Sequence, residues 1–234
     1  MKIKIALLRV GIDTGCGGIL GPLFGDGTFD FVPIPGHGCE TYRTARGRYG
    51  KALIDYFPDG ALHDRMRDQT VHRDPDFERF TYGDPSRPKV SLHSLEPSDL
   101  LVFYAGLKGW GWDCAPALYI VGYFDVLVAG FARDFSVTDL HCYWQGCAHA
   151  GDIITADSRL VLVKGTDESR LLTKATRISA VGQDSAGRPL HVLSPEAQEV
   201  FGDFDGKIAI QRSPVHWVAD EFVEGAAEFM RSLE

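Results

Sequence analysis

Two apolar runs dominate the middle of the chain: Asp99-LLVFYAGL-Leu107 and, across the polar turn KGWGWDCAPA, Leu118-YIVGYFDVLVAGF-Phe131. Both are rich in β-branched and aromatic residues, so they are expected as adjacent core strands. An earlier apolar stretch, Lys2 to Val10, reads as the first strand. Thr28–Pro35, with its closing prolines, reads as a second one flanking a glycine-rich turn. From Gly36 to about Ser98 the periodicity fades into Asp-Pro and Gly-Asp steps, with one short helix expected at Tyr49–Tyr56. Ser136 before an apolar stretch, with Asp139 at the N3 position, signals a helix that ends near Gly146. Ser158–Gly165 is expected as a strand, Leu171–Gly182 as a helical turn followed by a strand, and Lys207–Arg212 as a short strand. Ser194, Pro195 and Gly202 bracket a short helix by cap, first-turn proline and C′ glycine. At the end, Val218, Phe222, Ala226, Phe229 and Leu233 share one face of an amphipathic helix.

Strands placed early, centrally and late, with a few short helices, predict an α+β domain on a mixed sheet rather than alternating βαβ units. A small closed barrel is the expected form. The 234 residues fit one domain spanning 1–234 with a loop-rich insertion at about 36–98. The hydrophobic fraction of 44% and charged fraction of 24% are those of an ordinary globular chain, and no window carries the long uncharged run of a membrane span. The N-terminal apolar stretch is too short for a signal h-region and reads as strand. Five cysteines form no disulfide framework, which places reduced thiols in the cytoplasm as the expectation. A net charge of −8 excludes a general duplex binder, because such proteins neutralise phosphates with Lys and Arg. A pocket for a base, a nucleotide or a short single strand needs only local positive charge and stays open.

The turn after the first strand, GIDTGCGG, crowds four glycines with Asp13, Thr14 and Cys16. Gly15, Gly17 and Gly18 free the backbone to approach a ligand, while Asp13 could accept from a base N–H and Thr14 face it. The alternative is a β-turn in which Asp13 caps its own backbone. The spacing is neither a dinucleotide fingerprint nor a P-loop, since no Lys-Ser or Lys-Thr pair follows. Cys16 becomes a nucleophile if His72 or His37 lies within hydrogen-bond reach, and is otherwise a small packing residue.

Further along, His72, Asp74, Asp76, Tyr82 and Asp84 gather in one segment, and His72 with Asp74 form the preferred pair for acid–base work or for holding a cation. Trp110 and Trp112, on the loop between the two core strands, suggest with Tyr104 aromatic walls for a stacked base. The competing role is packing beneath that loop. His141, Cys142, Cys147 and His149 do not have a recognised zinc spacing, so no metal is expected there. Arg212, Arg170 and Lys174 could meet a phosphate or pair with surface carboxylates. The sequence names no cofactor.

The segment Leu95-EPSDLLVFYAGL-Leu107 followed by Ala117-LYIVGYFDVL-Leu127 resembles the central signature of EVE and ASCH domains of the PUA-like superfamily. The matching positions are Asp99, Phe103, Tyr104, Ile120, Val121, Gly122 and Val126, with Ser98 where glycine is usual. Together with IDTGCGGILGPLF, Val71–Lys89, Ser169-RLLTKA and Ile210-QRSPVHWV, nearly the whole chain resembles the nucleotide modification associated domain family of the third type. The resemblance implies a PUA-like fold and a setting among systems that make or handle modified bases. It implies no particular reaction. Recognition of a modified or extruded base, or a nucleotide, in an aromatic cleft is the first expectation. An enzyme altering a base or nucleotide with Cys16 or Asp13 and His72 is the second, and a non-catalytic subunit of a modification complex the third.

Overall fold

A computed structural model describes residues 3–145, 149, 159–211 and 214–234. The two apolar runs form the centre of its main sheet, as β6 (Leu100–Gly109) and β7 (Ala117–Phe131), an antiparallel pair in which Leu107 faces Ala117 and Leu100 faces Asp125. The strand β1 (Ile5–Arg9) lies parallel to the first half of β6, from Ile5 opposite Leu100 to Arg9 opposite Tyr104. A short strand β2 (Gly21–Leu23) rejoins the same edge of β6 further along, opposite Leu107–Gly109. The glycine turn is therefore an excursion: the chain leaves the sheet after Arg9 and returns to the same edge at Gly21. Gly11 and Gly18 carry it with φ of 76° and 83°, backbone that glycine adopts without a Cβ penalty.

Thr28–Pro35 forms no continuous strand. It makes isolated bridges at Thr28 and Phe29 and the two-residue β3 (Ile34–Pro35), paired with β4 (Val71–His72). The prolines at 33 and 35 interrupt a longer ladder, since proline donates no N–H. Within 36–98 the chain holds a 3₁₀ turn at Leu53–Tyr56, helix α1 (Ala61–Arg67), β5 (Thr81–Asp84) and a 3₁₀ segment at Arg87–Ser94. Tyr42, Leu53, Tyr56, Phe57, Met66 and Val71 form a second apolar cluster there, with Ile12 from the glycine turn and Val32.

Helix α2 (Val137–Trp144) opens with a capping box in which the Ser136 hydroxyl accepts from the Asp139 N–H. Its Trp144 is buried beside Ala132, Leu160 and Leu162. β8 (Val161–Gly165) pairs with the second half of β7 and also with β5, whereas β9 (Arg170–Arg177) pairs with the first half of β7. The helical turn expected after Leu171 is absent: β9 runs on to the hairpin β10 (Ser179–Gln183) and β11 (Pro189–Leu193). The Lys207–Arg212 strand reduces to a bridge between Val192 and Ala209. Helix α3 (Pro195–Phe201) starts at its Ser194 cap, β12 (His216–Trp217) borders β1, and α4 (Val223–Ser232) closes the chain with Val223, Ala226, Ala227 and Met230 buried.

The sheet runs β12-β1-β6-β7-β8-β5, with β2 and β9 attached to β6 and β7. The fold is thus mixed α+β, but the expected closed barrel is not formed among the described residues. The reason lies in β6 and β7, each long enough to bond different strands along its two halves, so the sheet branches and its terminal strands are not bonded to each other. No helix among the described residues is long and apolar enough to cross a membrane.

Candidate functional site

Asp13 caps its own turn: one carboxylate oxygen accepts the N–H of Gly15 at 2.7 Å and of Cys16 at 2.9 Å. The Asp13 carbonyl also receives the N–H of Gly18 at 3.1 Å. These donors do not converge on a ligand; they are used inside the turn, as in an Asx turn. Burial pushes the Asp13 carboxyl up, but the N–H groups of Cys16 and Gly15, with Arg9 3.4 Å away, outweigh it and hold it below the ordinary value. Cys16 shows the reverse. Partial burial and the Asp13 carboxylate push its thiol above the usual range, so at neutral pH it carries less thiolate than an ordinary cysteine. No hydrogen bond joins its sulfur to a histidine among the described residues, so the contact that would activate the thiol is not made there.

The turn nevertheless borders something. Arg9, Gly11, Asp13 and Cys16 line one side of a cleft of about 640 Å³, within the range of small-molecule sites. His72, Asp74, Tyr82, Asp84, Lys89 and His149 line the other. Both proposed sides of the chemistry, the first-strand turn and the His72–Asp74 pair, therefore face one space.

Within it, His72, Asp74 and His149 place one ligand atom each within 4.8 Å of the others. Neither Asp74 nor His149 is more than 9% exposed at the side chain, and His149 Nε2 stands 3.4 Å from Asp74 Oδ2. The other Asp74 oxygen accepts the Gly83 N–H at 3.0 Å. His72 Nδ1 lies 3.2 Å from the His37 carbonyl oxygen, and the His72 and His149 rings meet edge to face at 4.8 Å. Burial pushes the Asp74 carboxyl up, against the opposing pull of His149, His72 and the Gly83 N–H. Local backbone makes room for both rings. A Cβ at Gly83 would fall 2.7 Å from His149 Cδ2.

Lys89, almost enclosed, sits 3.7 Å from Asp84, and the Tyr82 hydroxyl donates to the same Asp84 oxygen at 3.1 Å. Desolvation lowers the Lys89 ammonium and raises the Tyr82 phenol. On the opposite side the Arg9 guanidinium donates to the Gln211 carbonyl. An imidazole–carboxylate pair with flanking cations is equipped to move protons and to meet an anion.

The aromatic walls lie elsewhere. Tyr104 is fully buried with its hydroxyl on the Ile210 carbonyl at 3.1 Å, because its position in β6 points it into the core. Trp112 donates its indole N–H to the Leu23 carbonyl at 2.8 Å, and Trp110 packs edge-on against Tyr56 at 5.1 Å. Trp110 instead joins Phe24, Tyr49, Tyr56 and Lys51 around a separate shallow depression. Thr14 and Gly15 are exposed, and Gly18 abuts Leu62. Arg212 and Cys147 lie outside the described residues; Cys142 is exposed on α2. Arg170 lies over the Tyr123 ring and near Glu168, and Lys174 packs beside Gly27.

Arg9 and Lys89 were not singled out from the sequence, and His149 was marked only as a polar residue just past the helix expected to end near Gly146. The spacing His72-x-Asp74 was a usable signal, since an imidazole and a carboxylate so close together invite a third partner. A metal at His149 was set aside because Cys142, Cys147 and His149 lack a recognised zinc spacing, whereas its partner is 75 residues away.

No curated protein and no solved structure shows significant similarity to the chain. A family model, nucleotide modification associated domain 3, matches residues 4–228, which include both sides of the cleft and the β6–β7 hairpin. The chain belongs to the nucleotide modification associated domain 3 family.

Proposed function

We propose that the cleft takes a nucleotide or an extruded base and that its working part is histidine–carboxylate chemistry, making the protein a modifying enzyme of a nucleotide modification system. The observation that carries this reading is the convergence of Arg9, Asp13, His72, Asp74, Lys89 and His149, from separate segments, on one cleft of about 640 Å³. The buried Asp74 and His149, 3.4 Å apart, and the neighbouring His72 form a histidine–carboxylate group that can act on a bound base. Arg9 and Lys89 supply the local positive charge that a phosphate requires in a chain of net charge −8. Family membership supplies the substrate neighbourhood.

Calorimetric titration with nucleosides, nucleotides and short single strands tests the reading, alongside product analysis by mass spectrometry. Wild-type protein should bind at least one of these, and His72→Ala and Asp74→Asn should lower turnover by about 10²-fold or more. Unchanged turnover in both variants, or no binding of any probe, would sink it.

A recognition function is the second reading, favoured by the exposed rings of Tyr49 (53%) and Trp110 (37%) around the depression that holds Lys51. An aromatic platform with a cation suits a stacked base. Binding that falls with Trp110→Ala but not with His72→Ala would select this reading over the enzyme.

A further inference from the structure

We propose that His72, Asp74 and His149 bind one divalent first-row transition-metal ion, through His72 Nε2, Asp74 Oδ2 and His149 Nε2, with its remaining positions open to the cleft. The inference assigns a cofactor class to the site described above. Its use in turnover rests on that reading, whereas metal binding itself does not.

Four observations carry it. First, the 3.4 Å between His149 Nε2 and Asp74 Oδ2 is long for a charge-assisted hydrogen bond, which prefers about 2.7–2.9 Å. It is the edge of a tetrahedron: two ligand atoms bonded at about 2.1 Å to one ion stand roughly 3.4 Å apart. The third residue, His72, places a ring nitrogen within 4.8 Å of both. Second, the groups behind the ligand atoms are those that metal ligands use. The His37 carbonyl at 3.2 Å sets the proton on His72 Nδ1 and leaves Nε2 with its lone pair, and the Gly83 N–H holds Asp74 by its other oxygen. Third, the donor set of two imidazoles and one carboxylate suits iron(II), zinc(II), manganese(II) or cobalt(II), and leaves positions for water or substrate. Fourth, the charge balance favours it. Two neutral imidazoles and a carboxylate sum to one negative charge, and a divalent ion turns this to one positive, placed in a cleft where an anionic ligand needs it.

The probe is Co²⁺, followed by Zn²⁺ and Fe²⁺ under anaerobic conditions, added to chelator-stripped full-length protein. One equivalent should bind, with the visible absorption of a cobalt ion in a nitrogen–oxygen site, and raise the melting temperature. His72→Gln, Asp74→Asn and His149→Gln should each weaken binding by at least 100-fold. Cys16→Ser should leave both the spectrum and the affinity unchanged. Absence of stoichiometric binding overturns the proposal. So does equal binding in the three ligand variants, or a thiolate-to-cobalt charge-transfer band, which would move the site to a cysteine. Because Asp74 is buried, circular dichroism and melting of each variant accompany the titration, and His72→Gln, at a half-buried position, decides if Asp74→Asn does not fold. Wild-type metal binding with no nucleotide binding would retain this inference and reject the reading of the cleft as a nucleotide site.

Discussion

Gly83→Ala adds a single methyl group beside the imidazole of His149. The new Cβ would lie 2.7 Å from His149 Cδ2, 3.1 Å from its Cγ and 3.2 Å from Leu162 Cδ2. Carbon contacts favour about 3.5–4.0 Å, so the ring must retreat by roughly 1 Å, because Leu162 is fully buried in β8 and gives little. Overpacking of this kind costs about 1–3 kcal/mol, while removing a glycine from a strand returns about 0.5–1 kcal/mol. The net loss, up to about 2.5 kcal/mol, corresponds to a melting temperature lower by up to roughly 10 °C for a chain of this size. The functional effect is larger. A 1 Å displacement of Nε2 from its 3.4 Å position against Asp74 Oδ2 should lower metal affinity or turnover by about 10- to 100-fold. Thermal unfolding and cobalt titration on the same preparation measure both. Gly225→Ala on α4, where a Cβ meets nothing within 4 Å, serves as the control and should be neutral or stabilising. Gly83→Ala with wild-type melting and wild-type binding would refute the packing argument and the placement of His149 with it.

Cys16, Cys39 and Cys142 are all exposed, yet Cys16 should alkylate with iodoacetamide more slowly than the other two at about pH 7.5 and catch up only as the pH rises past the ordinary thiol range; peptide mapping reads the order, and a Cys16 that reacts first contradicts its raised pKa. His216 is buried, with Nε2 lacking a hydrogen-bond partner among the described residues, and burial followed by the charge of Lys207 lowers its pKa. The unfolded chain therefore takes up this proton first: stability is present above about pH 6.5 and falls as the pH drops through the folded value. Melting should decline between about pH 7 and pH 5, and His216→Phe, which keeps a ring against Phe204, should flatten that decline. Fully buried Asp30 accepts the Arg48 N–H at 2.7 Å and the Tyr56 hydroxyl, so Asp30→Ala leaves two donors unmet and should cost about 2–4 kcal/mol in denaturant unfolding, with loss of under 1 kcal/mol as the contrary result.

How much of this could be read from the chain depends on the range of the interactions involved. The β6–β7 hairpin was legible because its apolar runs carry their own information, as was α3, bracketed by Ser194, Pro195 and Gly202. Helix α1 was not, since it fully buries only Met66, with Leu62 partly covered, and lacks a side-chain cap. The extent of β9 was also hidden: its burial alternates irregularly because it pairs with β7 around a register shift. Ser98 adopts a φ of 75°, a backbone that glycine takes without a Cβ penalty. In the cleft, Asp13, Cys16, His72 and Asp74 were singled out by residue type, yet their shared location follows from strand pairings that leave no local trace. Trp110 was judged by exposure and loop position, and those two properties do not say which depression an indole serves.

The pairing of β5 with β8 has a consequence for how the protein is made. Asp74 and His149 are 75 residues apart, and the ladder that joins their neighbourhoods, Thr81–Asp84 on Val161–Lys164, spans the whole β6–β7 hairpin. Loop closure of that length comes late in folding, after the hairpin has formed and can repay it. A nascent chain that has emerged only as far as β7 would hold His72 and Asp74 without His149, so the chemistry of the cleft is withheld until translation has passed β8.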